Sequence, residues 1–169
     1  MMGRKNLDNL LSQVISQARS IGIPVSRHID PQVVVNSRAR TRFGCCRSQR
    51  GRHTIEVAAA LLEAEESAIC QVLAHEVLHT CPGCANHGKR WQHWAALMSD
   101  RFGYDIHRTD SHGALGIEDS RPVRYLVVCS KCGSSIPRMK RSSLVEHPER
   151  YRCKCGGSLT VVVPVNNEN

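Results

Sequence analysis

A chain of 169 residues with 41% hydrophobic content has room for one ordinary globular domain plus a small satellite that cannot fold on an apolar core alone. No apolar run approaches the ~18–20 residues that span a bilayer, and the stretch after Arg4 and Lys5 alternates Leu with Asp, Asn, Ser and Gln, unlike the core of a secretion signal, so a cytoplasmic location is expected and no membrane partner. The net charge of +8 is uneven, with ten Lys/Arg against two Asp/Glu in residues 1–52, four against eight in 53–110 and nine against five in 111–169. Two basic flanks surround an acidic centre.

In chain order, Leu7, Leu10, Leu11, Val14, Ile15 and Ala18 fall at spacings of three and four and predict a helix over 7–20, stopped by Gly22 and Pro24. Residues 33–35, the segment around 41–43 and residues 53–57 read as short strands of a small antiparallel sheet, with a Gly/Ser/Arg loop over 44–52. From Glu65 to Thr80 the apolar positions Ile69, Val72, Leu73, Val77 and Leu78 recur at helical spacing, and Cys81-Pro82-Gly83-Cys84 supplies the stop. Asn86 is the expected N-cap of a further helix whose stripe is Trp91, Trp94, Ala95, Met98 and Phe102, ending at Gly103. Residues 104–122 are polar and aperiodic. The expected division is a domain over 1–110, a linker over 111–122 and a second unit over 123–169, where the β-rich runs 124–128 and 158–163 each abut a cysteine pair. The expected class is α+β.

On a helix, residues four apart lie on one face about one turn apart, so His75 and His79 of His75-Glu76-Val77-Leu78-His79 can aim imidazole nitrogens at one ion, with Glu76 beside that face. In such an arrangement zinc activates water and the glutamate takes its proton as a carbonyl is attacked, so that a peptide is cut without a covalent intermediate. Two surface histidines with a salt-bridging glutamate would spell the same letters, so the surroundings carry weight. Sites of this kind use a third protein ligand and leave the fourth position open. His87 is the candidate, because a turn at Pro82-Gly83 can fold the chain back and set it at the start of the next helix. His93 lies too far round that helix to share its face, His107 and His112 fall in the aperiodic stretch, and His28, His53 and His147 carry no signal. Cys81 and Cys84 are open to three readings, a metal site, a disulfide or a shaped turn. The turn is favoured, since no strand precedes them as a thioredoxin-like pair requires. Cys45, Cys46 and Cys70 read as small buried residues.

Nine cysteines in a chain without a secretion signal point to thiolates and metal rather than disulfides. Cys129-x2-Cys132 and Cys153-x-Cys155, each beside a strand and followed by glycine, describe the knuckles of a zinc ribbon, so a second, structural zinc is expected. Lys131, Arg138, Lys140, Arg141, Arg150, Arg152 and Lys154 surround this unit, and Tyr125 and Tyr151 are available for stacking. With Arg38, Arg40, Arg42, Arg47, Arg50 and Arg52 in the first flank, DNA is an expected partner, single strands favoured, and the location then becomes nucleoid-associated. A solvated basic surface is the plainer reading, and ribbons also bind proteins.

Taken in order, Phe43-Gly44-Cys45, the motif from His75 to His79, Asn86-His87-Gly88 followed by Trp91, and Tyr151-Arg152-Cys153-Lys154-Cys155-Gly156-Gly157 resemble the SprT-like (Spartan-type) metallopeptidases. The short insertion carrying Asn86-His87 is also similar to the YgjP-type zincins. The resemblance implies a minimal zincin-like metallopeptidase domain, His75, His79 and His87 as zinc ligands, Glu76 as general base, a protein substrate and DNA-dependent cleavage of proteins crosslinked to DNA. This chain departs from the pattern in its short gap between His79 and His87, which holds the extra Cys81/Cys84 pair, and in the Cys-x-Cys form of the second knuckle. Two other functions compete: a non-catalytic zinc-ribbon protein that binds nucleic acid, and a zinc hydrolase acting on a different amide.

Overall fold

Helix α1 (Arg4–Ser20) forms on the predicted stripe, with Leu7, Leu10, Leu11, Val14 and Ala18 all buried. It stops where Gly22 turns left-handed at φ +79° and the amides of Gly22 and Ile23 donate to the carbonyls of Arg19 and Ala18, satisfying the last turn. The computed structural model describes residues 4–108, 113–117 and 121–162. The chain divides into two units, 1–119 and 120–169.

In the first unit β1 (Val34–Asn36), β2 (Gly44–Gln49) and β3 (Arg52–Ala58) form one sheet in the order β1-β3-β2. The sheet is mixed rather than antiparallel: β2 and β3 are a hairpin from Gly44↔Val57 to Gln49↔Arg52, and the chain reverses twice between β1 and β3, so those two run parallel. The stretch expected to be a loop is strand β2, turning through Arg50 (φ +51°) and Gly51 (φ +80°), and the strand expected around 41–43 is only its approach. Gly-Cys-Cys-Arg-Ser-Gln has no apolar alternation because β2 is an edge strand whose last three residues are exposed. Its pairing with β3 decides its conformation, not its own propensity.

On β3, Ile55 and Val57 are fully buried, and the core continues through α2 (Glu66–Leu78), of which Ile69, Leu73, Ala74, Val77 and Leu78 have no exposed surface. Helix α3 (Lys89–Phe102) adds Trp91, Ala95 and Met98 and ends at left-handed Gly103. Its N-cap is Gly88, not Asn86. The Asn86 side-chain oxygen instead accepts from the Gly88 amide at 3.0 Å and shapes the turn before the helix. Of the segment 111–122 read as a linker, residues 113–117 and 121–122 are described, and Leu115 and Ile117 lie in the same core.

The second unit is a three-stranded antiparallel sheet, β5 (Ser135–Arg138), β4 (Tyr125–Cys129) and β6 (Leu159–Val162) in that order, with the short helix α4 (Ser143–Glu146). Strand β5 carries a serine and Pro137 and so gives no strand signal, yet as an edge strand it tolerates the proline. Among the described residues only Val127, Cys129 and Leu159 form this unit's buried apolar cluster. The architecture is α+β, and among the described residues no helix is long and apolar enough to cross a membrane.

Candidate active site

Helix α2 delivers His75 and Glu76 in its last turn and His79 at its C-cap, with His75 and Glu76 buried at 9% and 7% exposure. The chain then tightens: the amides of Thr80 and Cys81 donate three residues back, Cys84 donates to the Cys81 carbonyl at 3.1 Å, and Gly83 turns left-handed at φ +73°. This return brings His87 Nε2 to 2.9 Å from His75 Nε2 and 3.2 Å from His79 Nε2.

Backbone carbonyls set the chemistry of these rings. His75 Nδ1 sits 2.9 Å from the His107 carbonyl and His79 Nδ1 2.7 Å from the Cys84 carbonyl. A carbonyl only accepts, so both Nδ1 atoms carry a proton, and in the neutral form of each ring the Nε2 lone pair faces His87. Burial, reinforced by the neighbouring His79 and His87, pushes the His75 pKa down to about 4, and His87 is lowered by burial, His79 and Arg108. Three nitrogens within 4.8 Å of one another, two of them on rings whose Nδ1 is tied to a carbonyl, fit a divalent cation. In the metal-free chain this geometry has a pH signature. The unfolded His75 takes a proton near 6.5 while the folded one resists to about 4, so stability is full above 6.5 and is lost as pH falls between those values. Thermal melts of metal-free protein across pH 7 to 4 are expected to show that decline, and a His75→Ala variant should show less of it.

Glu76 faces a cleft of about 610 Å³, lined also by Arg42, Gly44, Cys45, Cys46, Asn86, Arg108 and the three histidines. Gly44, the first residue of β2, lies against it: a Cβ there would stand 2.6 Å from Glu76 Oε1, 2.7 Å from Glu76 Cγ and 2.9 Å from Val72 Cγ1. The glycine lets the sheet edge close on the helix and packs the carboxylate into position. Gly44→Ala is expected to destabilise the first unit by about 1–3 kcal/mol, read by urea unfolding, because both contacts lie on a buried helix that cannot retreat without opening the core. Behind the rim the buried Glu56 takes Asn36 Nδ2 at 2.7 Å, Arg42 Nη2 at 2.9 Å and Arg47 Nη2 at 2.9 Å. The Asn36 bond and the two guanidinium groups hold its carboxyl below the usual range. Arg42 is thereby anchored at the cleft.

In the second unit the four cysteines converge: Cys129 Sγ lies 3.5 Å from Cys155 Sγ and Cys132 Sγ 3.6 Å from Cys153 Sγ. A tetrahedral zinc thiolate site, with bonds of ~2.3 Å, has sulfurs ~3.8 Å apart. A disulfide would need ~2.05 Å. Amides of Cys132 and Lys131 pull the Cys129 thiol down to about 6, and Cys155, although the Gly157 amide opposes it, is pushed up to about 12 by the thiols of Cys132 and Cys129. Four thiols this close cannot all ionise without a cation among them. Gly157 is required there, since a Cβ would stand 2.5 Å from Cys129 Sγ.

The remaining expected positions divide cleanly. Cys81 and Cys84 are buried free thiols within the turn, Cys81 pushed up to about 12 by burial and by Cys84, which accords with a shaping role. Cys45 and Cys46 are half-buried on the cleft wall, Cys46 packing also against the core, and Cys70 is buried within it. His93 is exposed against Trp94, and His107 contributes its carbonyl to the site while its ring pairs with Asp105 at 2.8 Å. His112 lies outside the described residues. Sequence reasoning missed the two carbonyls, which have no side-chain signal, and Trp91, whose place in an apolar stripe hid its contact with the histidines.

Against known proteins, a scan of family descriptions matches the SprT-like family over residues 13–112, a span that holds Gly44, His75, Glu76, His79 and His87. No curated protein matches the chain. Because that match covers more than half of the sequence and encloses the histidine cluster, the chain belongs to the SprT-like family.

Proposed function

We propose that the chain is a zinc-dependent endopeptidase of zincin-like architecture, in which His75, His79 and His87 hold the catalytic zinc, Glu76 is the general base, and Cys129, Cys132, Cys153 and Cys155 hold a structural zinc. The observation that carries this reading is the convergence of three ring nitrogens beside a buried glutamate on one cleft wall. Family membership supports a metallopeptidase-type hydrolase. Zinc in such a site supplies a Lewis acid and lowers the pKa of water towards neutrality. Glu76 takes the proton from the attacking water and passes it to the leaving amine. The carbonyls of His107 and Cys84 hold His75 and His79 in the tautomer that keeps Nε2 free.

A polypeptide substrate is favoured over another amide by β2. Its residues Gly44, Cys45, Cys46 and Ser48 line the cleft, and among the described residues it pairs with β3 alone, so an extended chain can add along its outer edge. The basic residues of both units support substrates that are associated with, or crosslinked to, DNA. The test is cleavage of DNA-binding proteins by zinc-loaded chain, with and without single-stranded DNA at low and physiological salt. Cleavage stimulated by single strands is expected. Cleavage that ignores DNA would discard the nucleic-acid part and leave the peptidase, and DNA binding with no cleavage under any condition would favour a non-catalytic binding protein.

A further inference from the structure

Trp91 opens the buried stripe of α3 and is 1% exposed, yet it does more than fill the core. Its ring centroid lies 4.7 Å from that of His75, 5.6 Å from His79 and 4.6 Å from His87, at interplanar angles of 61°, 24° and 81°. One indole therefore touches all three imidazoles. Its Nε1 is buried and has no hydrogen-bond partner among the described residues. An unpartnered buried donor costs about 1–3 kcal/mol, a penalty that phenylalanine or leucine would avoid.

The three histidines are not held alike. His75 and His79 each have Nδ1 fixed by a carbonyl, whereas for His87 no Nδ1 partner is found among the described residues. Its backbone is tied by Gln92 Nε2 donating to its carbonyl at 2.8 Å, and its ring meets the indole nearly edge-on. Aromatic pairs in this geometry contribute ~0.5–1.5 kcal/mol each beyond area burial. A cation bound by the imidazoles draws charge from them, which strengthens their attraction to a π-system within ~6 Å.

We infer that Trp91 is a positioning residue for the metal: its indole fixes the ring of His87 in place of the missing carbonyl and keeps the three Nε2 atoms convergent. The inference rests on the proposed reading of these histidines as zinc ligands. It assigns no contact with substrate.

The test uses the full chain and two readouts. Zinc affinity is measured by competition with a chromophoric chelator, with His75→Ala identifying which occupancy belongs to the histidines, and cobalt substitution reports ligand geometry through its visible spectrum. Trp91→Leu is expected to weaken the histidine site ~10–100-fold and alter the cobalt spectrum, while the four-cysteine site keeps its metal and Trp91→Phe restores most of the affinity. The second readout keeps the indole. In a Trp94→Phe background Trp91 is the one remaining tryptophan, and its emission should change with the same midpoint as zinc binding to the histidines. A folded Trp91→Leu variant with native affinity and cobalt spectrum would overturn the inference, as would unchanged Trp91 emission while the site fills. If Trp91→Leu does not fold, the emission titration decides alone. Failure of the zinc reading looks different: the otherwise native chain then binds no metal that His75→Ala removes.

Discussion

Glu76→Gln is expected to lower kcat for peptide cleavage by on the order of 10²–10⁴-fold while the chain keeps its full zinc content. The two results belong together because Glu76 is outside the converging nitrogen set, so its charge is not needed to hold metal. Glutamine preserves the shape of a side chain that is 7% exposed and packed against Gly44, so the fold should survive. What it loses is the ability to accept a proton. Turnover on a fluorogenic peptide, paired with elemental analysis of the same sample, separates this from a metal defect. Undiminished turnover would remove Glu76 from its assigned role, and loss of zinc along with turnover would mean that the substitution had broken the site rather than its chemistry.

Removing metal from the four-cysteine cluster is expected to unfold the second unit. Among the described residues its buried apolar cluster is Val127, Cys129 and Leu159, with Ile136, Leu144, Val145 and Val161 only partly buried against it, far less than the backbone entropy of some 40 residues demands, and two of the four cysteines, Cys132 and Cys155, are exposed. Structural zinc in small domains contributes ~10–16 kcal/mol, which is folding free energy because no preformed site exists in the unfolded chain. Cys132→Ser should therefore erase amide protection throughout β4, β5 and β6 in hydrogen exchange while the amides of α1 and α2 stay protected. Ser130→Ala, a neighbouring change that leaves all four thiols, should leave both units protected. A Cys132→Ser protein with native protection in β4 and β6 would show that the sheet stands without metal.

The sequence was most legible where one face is buried by periodicity. The stripe of α1 and the run from Ile69 to Leu78 appear in the structure at the expected positions, because a 3.6-residue apolar repeat has few other ways to leave water. The convergence of His87 with His75 and His79 could be anticipated from the Pro82-Gly83 turn, since the local chain reversal needs only a few residues. Strand β2 could not be read, for its polar edge sequence takes its conformation from β3. Its misreading also concealed the meaning of Gly44, whose missing Cβ matters only once the sheet edge and α2 are brought together. The parallel pairing of β1 was hidden for the same reason, as it depends on long-range contact. Trp91 shows a different limit: an apolar pattern reports that a side chain is buried and is silent on what it is buried against.

The most direct test of the central claim, that the three histidines and Glu76 form one peptide-cutting centre, is mass-spectrometric identification of new termini when zinc-loaded chain is incubated with an unfolded protein in ¹⁸O-enriched water. New amino termini should appear, with solvent oxygen in each new carboxyl group, and both should vanish for His79→Ala although its four-cysteine site remains loaded. No new termini from the native chain, or an undiminished set from His79→Ala, would contradict the account.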